Sequence, residues 1–283
     1  KAKPLLHGIS MTAVKFGISF TTRFLNQANA LVHLHRDGTL QVSTGATEMG
    51  QGVNARISTL VERELGLPRH AVRLMPTATD KNANTSPTAA SSGTDLNGAA
   101  AVLAVRKIKF RLSQLAHRLL ELPEAQWAVR TAELGTEPEV TVEELPHNTT
   151  HPNDGTDWDS GIATYRDIVF EGGAVYHRGN SSHRIPFEAL VNEAYLNRLS
   201  LSDYGHYRIP GLSFNKLTGV GDAFLYFTQG VATSEVSVDL DTGEVKVQRV
   251  DILMDLGKPI QEALDIGQVT GGFIQGLGWV TIE

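Results

Sequence analysis

Leu40-Gln41-Val42-Ser43-Thr44, then Thr47-Glu48-Met49-Gly50-Gln51-Gly52, then the run from Asn54 to Leu65 read as a strand, a glycine-rich turn and a helix. In the third piece Val53, Ile57, Leu60, Val61 and Leu65 recur at the helical period. Gly66 and Pro68 supply its stop. A glutamine between two glycines at the mouth of a helix leaves backbone exposed. The first N–H groups of a helix have no partner inside it and carry partial positive charge, so such a turn can hold an anion or a polar heterocycle. The same pattern also serves as a plain strand-to-helix connection. On this stretch alone both readings stand.

The surrounding chain has 283 residues, 41% hydrophobic and 20% charged, a globular composition long enough for two domains. Its formal net charge is −6 without a long basic run, so nucleic acid is not an expected partner. There is no cysteine, which excludes disulfides, thiolate metal ligands, cysteine-held iron–sulfur clusters and a cysteine nucleophile within the chain. That agrees with a cytoplasmic location. No apolar run approaches the roughly 20 residues of a membrane span, so no membrane association is expected. The chain opens without methionine and closes inside apolar Gly278-Trp279-Val280-Thr281-Ile282-Glu283, and we expect a fragment of a longer subunit.

Taken in order, Val14 to Arg23 carries Phe16, Ile18 and Phe20 at period two and predicts a strand. Ala30 to His35 and Thr39 to Val42 flank Arg36-Asp37-Gly38, a hairpin signal. His33 and His35 share a strand face, a pair read as surface rather than metal ligands for want of a third. A short strand, Val72 to Met75, precedes a polar loop. Pro87-Thr88-Ala89-Ala90-Ser91-Ser92-Gly93-Thr94-Asp95 then leads into a helix expected from Leu96 to Leu120. Small residues and hydroxyls at a helix start suit an anionic or heterocyclic ligand, and equally a capped end that packs closely.

Residues 122–166 are weakly patterned and read as a linker or variable loop. His147 to Gly155 is polar there, and Asn148-Thr149-Thr150 has the glycosylation pattern. A second hairpin turns at Glu171-Gly172-Gly173, and Pro186 opens a helix carrying Phe187, Leu190, Val191, Ala194, Tyr195 and Leu199 on one side. Tyr204 to Phe214 reads as aromatic and turn-rich. Ala223 to Leu253 reads as a long antiparallel ribbon turning at Asp241-Thr242-Gly243. The last segment, Ala263 to Gly278, predicts a glycine-rich helix with Gln268, Gly271 and Gln275 on one side. Each glycine costs a helix about 1 kcal/mol relative to alanine, so close packing or a ligand must compensate.

Five stretches carry a resemblance: Phe16-Gly17-Ile18-Ser19-Phe20, Phe24-Leu25-Asn26-Gln27-Ala28, Thr47 to Gly52, Asn84-Thr85-Ser86-Pro87-Thr88-Ala89-Ala90-Ser91, and Asp265-Ile266-Gly267-Gln268-Val269. In order and spacing they resemble the molybdopterin-binding part of the xanthine dehydrogenase/aldehyde oxidase family. The fold expected is α+β of the molybdenum-cofactor-binding-domain type, two units of antiparallel strands with packed helices. The first unit is expected at 1–121, the linker at 122–166 and a truncated second unit at 167–283.

The resemblance implies a molybdenum–molybdopterin cofactor in this chain and iron–sulfur clusters and FAD in partner regions. It implies a reaction that takes hypoxanthine and xanthine toward urate with oxygen from water, and an oligomeric full enzyme. It places Gly50, Gln51, Gly52, Thr88, Ser91 and Gln268 on the cofactor, with Phe20 packed on the flat purine and Ala90 beside it. Where relatives carry a hydroxyl, this chain has Gly93. The family's catalytic glutamate, in a Gly-Glu-Pro-Pro-type motif, has no counterpart here, so we expect the chain alone to be inactive, with no catalytic residue and no metal ligand of its own. An aldehyde oxidase-type enzyme or a non-catalytic scaffold is the alternative.

Overall fold

The computed structural model describes residues 5–82, 84–121 and 165–283. The histidines and sequon of 147–155, and all but the last two residues of the expected linker, lie outside them. Strands run in the order β1 (Leu5–Gly17), β2 (Gln27–Leu34), β3 (Leu40–Thr44), β4 (Val72–Leu74), β5 (Ile168–Glu171), β6 (Ala174–His177), β7 (Asn180–Pro186), β8 (Ser202–Arg208), β9 (Phe227–Asp239) and β10 (Val245–Asp255). The helices are α1 (Val53–Leu65) and α2 (Gly93–Leu120), which precede β5, α3 (Phe187–Leu196), which follows β7, and α4 (Glu262–Thr281). Helices with sheets that are antiparallel except for the β3–β4 pair make the fold α+β.

Two compact units form, one from 22–211 and one from 1–21 with 212–283. The physical reason is strand pairing across the chain: β1 pairs along its length with β9, from Leu5 opposite Asp239 to Gly17 opposite Phe227. β8 joins the first half's sheet by pairing with β2.

In the 22–211 unit a four-stranded sheet runs β4-β3-β2-β8. The β2–β3 hairpin turns at Gly38, whose φ is 79°, while Asp37 Oδ1 accepts the Thr39 N–H and hydroxyl at 3.0 and 2.7 Å. The alternating Ala28, Ala30, Val32 and Leu34 are buried, as are Leu40 and Val42. α2 packs on β8 and β2, and its Leu96, Ala100, Ala104, Leu112 and Leu115 are buried.

Small residues bring α2 and β8 into backbone contact. A Cβ on Gly205 would lie 1.9 Å from the Ala100 carbonyl oxygen and 2.9 Å from the Ala104 nitrogen. Beside this seam the Arg111 guanidinium, 3% exposed, pairs with Asp203 at 2.8 Å and donates to the carbonyls of Ser200 and Ser202 at 2.9 and 3.2 Å. Lys107 adds a 3.3 Å ion pair to the same carboxylate. A buried charge is tolerated only with such complete pairing. The first part of the segment expected to be turn-rich, Tyr204 to Arg208, is instead the end of strand β8. Its period-two pattern, Gly205 and Tyr207 buried between exposed Tyr204 and Arg208, is the signal that identifies it.

A second sheet of this unit, β5-β6-β7, turns at Gly172 and Gly173. α3 buries Phe187, Leu190, Val191 and Ala194 as expected. Tyr195 instead faces out under the Arg36 guanidinium, 4.5 Å from its ring centre, and Leu199 lies past the helix end.

The other unit is a three-stranded antiparallel sheet, β1-β9-β10, with α4. The strand expected at Val14 to Arg23 is instead β1, ending at Gly17. Ser19 has a φ of 112°, which breaks the alternation, so Phe20 is not a strand residue and does not share a strand face with Phe16. The Ser19 hydroxyl donates to the Ala223 carbonyl at 3.1 Å, and Ile18 exchanges backbone bonds with Leu225 and Tyr226.

Gly205→Ala is expected to destabilise the 22–211 unit by about 2 kcal/mol or more, the range for overpacking a filled site. Gly8→Ala, where the new Cβ would sit 3.7 Å from Val236 Cγ2, is expected to stay within about 0.5 kcal/mol. Denaturant unfolding of the two variants measures both; equal midpoints would remove the seam argument.

Candidate functional site

The turn between β3 and α1 is built around two side chains. Glu48 reaches forward over the start of α1: its Oε1 accepts the N–H groups of Gly50 and Gly52, both at 2.9 Å, and its Oε2 accepts that of Asn54 at 3.1 Å. Gln51 folds back, accepting the Met49 N–H at 2.6 Å and donating to the Thr47 carbonyl at 2.9 Å. Gly50 and Gly52 hold φ values of 98° and 77°, which glycine adopts without penalty. Partial burial opposes ionisation of Glu48. Its three backbone donors and Arg56 outweigh that and hold its carboxyl below the ordinary glutamate range.

This corrects the electrostatic reading of the turn. The N–H groups that an anion would use already serve the Glu48 carboxylate, so the mouth of α1 suits a neutral polar edge rather than an anion. The sequence carried the signal, an acidic residue in the turn that leads into a helix.

The small-residue loop before α2 comes to the same place. Thr88 Oγ1 accepts the Thr47 N–H at 2.9 Å. This joins Gly50, Gln51 and Gly52 to Thr88, Ala90 and Ser91 in one constellation. Ala90 and Ser91 both have φ 54°, a left-handed conformation uncommon for consecutive non-glycine residues. Ala89 accepts the Ser92 N–H and hydroxyl at 3.2 and 3.0 Å. Among the described residues the N–H groups of Ala90 and Ser91 and the Ser91 hydroxyl meet no partner. Three buried oxygens nearby in sequence are also unmatched: Asn82 Oδ1, Thr85 Oγ1 and Asn97 Oδ1. Unmatched donors and acceptors around one loop fit a group that hydrogen-bonds along its edge, as a pterin does. At the expected hydroxyl position Gly93 sits against Thr88, where a Cβ would lie 3.4 Å from its methyl group.

Phe20 and Gln268 belong to the other unit. Phe20 is half-buried and Gln268 is exposed on α4. No residue of α4 is buried, and a Cβ on Gly267, Gly271, Gly272 or Gly276 would meet nothing within 4 Å. Packing among the described residues therefore does not account for those glycines. His33 lies on β2 and His35 just past it. Among the described residues no group of three or more histidines or acids could hold a metal ion. No helix of the described residues is long and apolar enough to cross a membrane.

Because folding depresses the Glu48 carboxyl, its stabilisation is present above the unfolded glutamate range, about pH 4.3, and fades as pH falls through the lower folded value. Glu48→Gln is expected to be less stable than the parent at pH 7 and to converge with it in acid. Urea unfolding at pH 7 and pH 3 measures the difference, and a gap that persists unchanged at pH 3 contradicts the assignment.

The model of the molybdopterin cofactor-binding domain matches this chain twice, over residues 1–160 and 159–283. Xanthine dehydrogenase of Oryza sativa subsp. japonica is 36% identical over 276 residues, and xanthine dehydrogenase/oxidase of Felis catus is also 36% identical over 276. Each match covers 98% of this chain and 16% of the relative, so the chain spans about a sixth of their length. Among solved structures, quinoline 2-oxidoreductase from Pseudomonas putida 86 superposes with a TM-score of 0.70 at 20% identity, over 97% of this chain and 30% of that one. With the turn and loop that converge at Thr88, these likenesses establish that the chain belongs to the molybdopterin cofactor-binding domains of the xanthine dehydrogenase/aldehyde oxidase family of oxidoreductases.

Proposed function

We propose that the chain is the cofactor-holding part of a molybdenum-dependent purine hydroxylase that takes hypoxanthine and xanthine toward urate with oxygen from water. The observation that carries this reading is the Thr47 N–H to Thr88 Oγ1 bond, which draws the Gly-Gln-Gly turn and the unmatched loop donors together. It is supported by 36% identity to xanthine dehydrogenases along nearly the whole chain. When bound, the molybdenum–molybdopterin group supplies the two-electron hydroxylation. The chain's own residues position it. Thr88, its oxygen already accepting from Thr47, donates its hydroxyl proton, and Ser91 offers its hydroxyl and N–H. Gln51 presents its amide from the turn between Gly50 and Gly52, and Gln268 contributes from α4. Ala90 keeps the approach of a flat substrate clear, and Phe20 packs on that substrate's face.

On this reading the two cofactor-binding stretches are 1–121 and 167–283, joined through 122–166. Their partners are regions carrying iron–sulfur clusters and FAD, within an oligomeric cytoplasmic enzyme. The general base lies in those other regions, so the 283-residue chain is inactive alone.

The full-length protein, produced in a host that makes the cofactor, is expected to contain molybdenum and pterin and to oxidise xanthine faster than aldehydes. Absence of both metal and pterin would leave a non-catalytic scaffold, and preferred turnover of aldehydes would give an aldehyde oxidase-type enzyme. The isolated 283-residue chain is expected to carry far less than one molybdenum per chain; stoichiometric metal there would contradict a cage shared with other regions.

A further inference from the structure

The loop from Asn84 to Ser92 has few tethers for the shape it holds. Its two left-handed residues, Ala90 and Ser91, persist only where the surroundings impose that backbone. Among the described residues the Ser92 carbonyl accepts the Leu96 N–H as the loop runs into α2, and two further hydrogen bonds tie the loop to distant parts of the chain. One is Thr88 Oγ1 with the Thr47 N–H. The other is at the loop's opposite end, where Asn29 Nδ2 donates to the Asn84 carbonyl at 2.5 Å.

Asn29 is itself held from behind. It lies on β2 directly opposite His206 of β8, with Tyr204 two residues along on the same strand. Residues at j and j±2 across an antiparallel pair share one face, the face opposite Gly205 and Tyr207. The Tyr204 hydroxyl donates to Asn29 Oδ1, and His206 Nδ1 lies 2.7 Å from the same oxygen. These partners permit one arrangement of protons. The Asn84 carbonyl can only accept, so the atom facing it is the amide nitrogen. Asn29 Oδ1 carries no hydrogen, so His206 holds its proton on Nδ1. Burial, with Arg208 nearby, lowers the His206 pKa and favours that neutral form. Asn29 is 8% exposed, so each lost partner would leave a polar atom without water to replace it.

We propose that Asn29, braced by Tyr204 and His206, is a positioning residue that fixes the Asn84–Ser91 loop in its cofactor-holding shape. The role rests on the cofactor reading above, but the tether itself does not. It couples β8, which α2 anchors through Arg111 and Asp203, to a loop more than a hundred residues earlier in the chain. Asn29→Asp keeps the oxygen that accepts from both Tyr204 and His206 while replacing the donor to Asn84 with a charged oxygen that repels the carbonyl. Tyr204→Phe removes one brace and keeps the tether.

Hydrogen exchange of the full-length protein, followed peptide by peptide together with retention of pterin on dialysis, tests this. In Asn29→Asp, exchange across 84–92 is expected to rise about tenfold, the scale of one lost hydrogen bond. Exchange in α2 and β3 should stay unchanged, and pterin should leave about tenfold faster. Tyr204→Phe should shift both readouts the same way by less. An unchanged loop in Asn29→Asp overturns the tether, as does exchange that rises equally through β3 and α2. A loosened loop with unaltered pterin retention overturns the positioning role. If the parent protein holds no pterin, the cofactor reading fails, and the exchange result still decides the tether.

Discussion

The contact between α2 and β8 is the constraint on which the 22–211 unit depends. A strand from residues 202–208 reaches a sheet made by residues 27–44 only if a helix lies across both, and α2 does so at backbone distance. Gly205 admits the Ala100 carbonyl where any side chain would collide with it. That closeness leaves no room for water, so the polar groups at the edge of the seam must satisfy one another. Arg111 does this for Asp203 and for two β8-side carbonyls. An apolar contact sets the distance, and a buried ion pair fixes the register along it. Such pairs add less to net stability than to the uniqueness of the arrangement, because their desolvation offsets most of the attraction. Both ends of the candidate site inherit that register: α2 begins at Gly93, just past the Ala90–Ser91 turn, and β8 carries Tyr204 and His206.

The two loops at this site solve the same problem, free N–H groups at a helix start, in opposite ways. At α1 the chain supplies its own anion, Glu48, which fills three donors. At α2 the preceding residues turn left-handed and leave their donors open. A ligand approaching this face therefore meets a closed negative cap on one side and unmet donors on the other. The asymmetry sets an orientation. On the proposed cofactor reading, acceptor edges would belong against Ala90 and Ser91, and donor edges toward the Gln51–Glu48 side. A featureless anion would not need such a division, whereas a heterocycle with both donors and acceptors on its rim would.

Much of this was legible in the sequence because it is encoded locally. The β2–β3 hairpin follows from Asp37-Gly38, α1 from its apolar period and its Gly66 stop, and the β9–β10 turn from Asp241-Thr242-Gly243. What was not legible depends on partners far away in the chain. β8 resembled a turn-rich segment because its aromatic residues pack against α2 and hydrogen-bond to β2, neither of which is its neighbour in sequence. The expected strand through Phe20 failed at Ser19, whose positive φ answers a bond to Ala223, about two hundred residues on. The pairing of β1 with β9 was not legible for the same reason, since it joins strands from opposite ends of the described chain. At the candidate site the turn and the small-residue loop were legible as local pattern and their hydrogen bonds were not. Gln51 lies on the turn between β3 and α1, but only the structure shows its amide folded onto Thr47 and Met49.

That last point bears on how the turn can act. A glutamine already holding two backbone groups presents less of its amide to a ligand than its motif suggests, yet it is more rigid for the same reason. Rigid placement favours binding because ordering entropy is lost before the ligand arrives rather than during binding. The unmatched groups at Ala90 and Ser91 have the reverse property: they are available, but their backbone conformation is unfavourable unless held. A competent site needs both kinds of group, so the bonds that hold the loop matter as much as the residues that face the ligand. Thr47 to Thr88 and Asn29 to Asn84 are those bonds. One begins on β2 and the other three residues past the end of its neighbour β3, which makes that sheet's register the common reference for turn and loop.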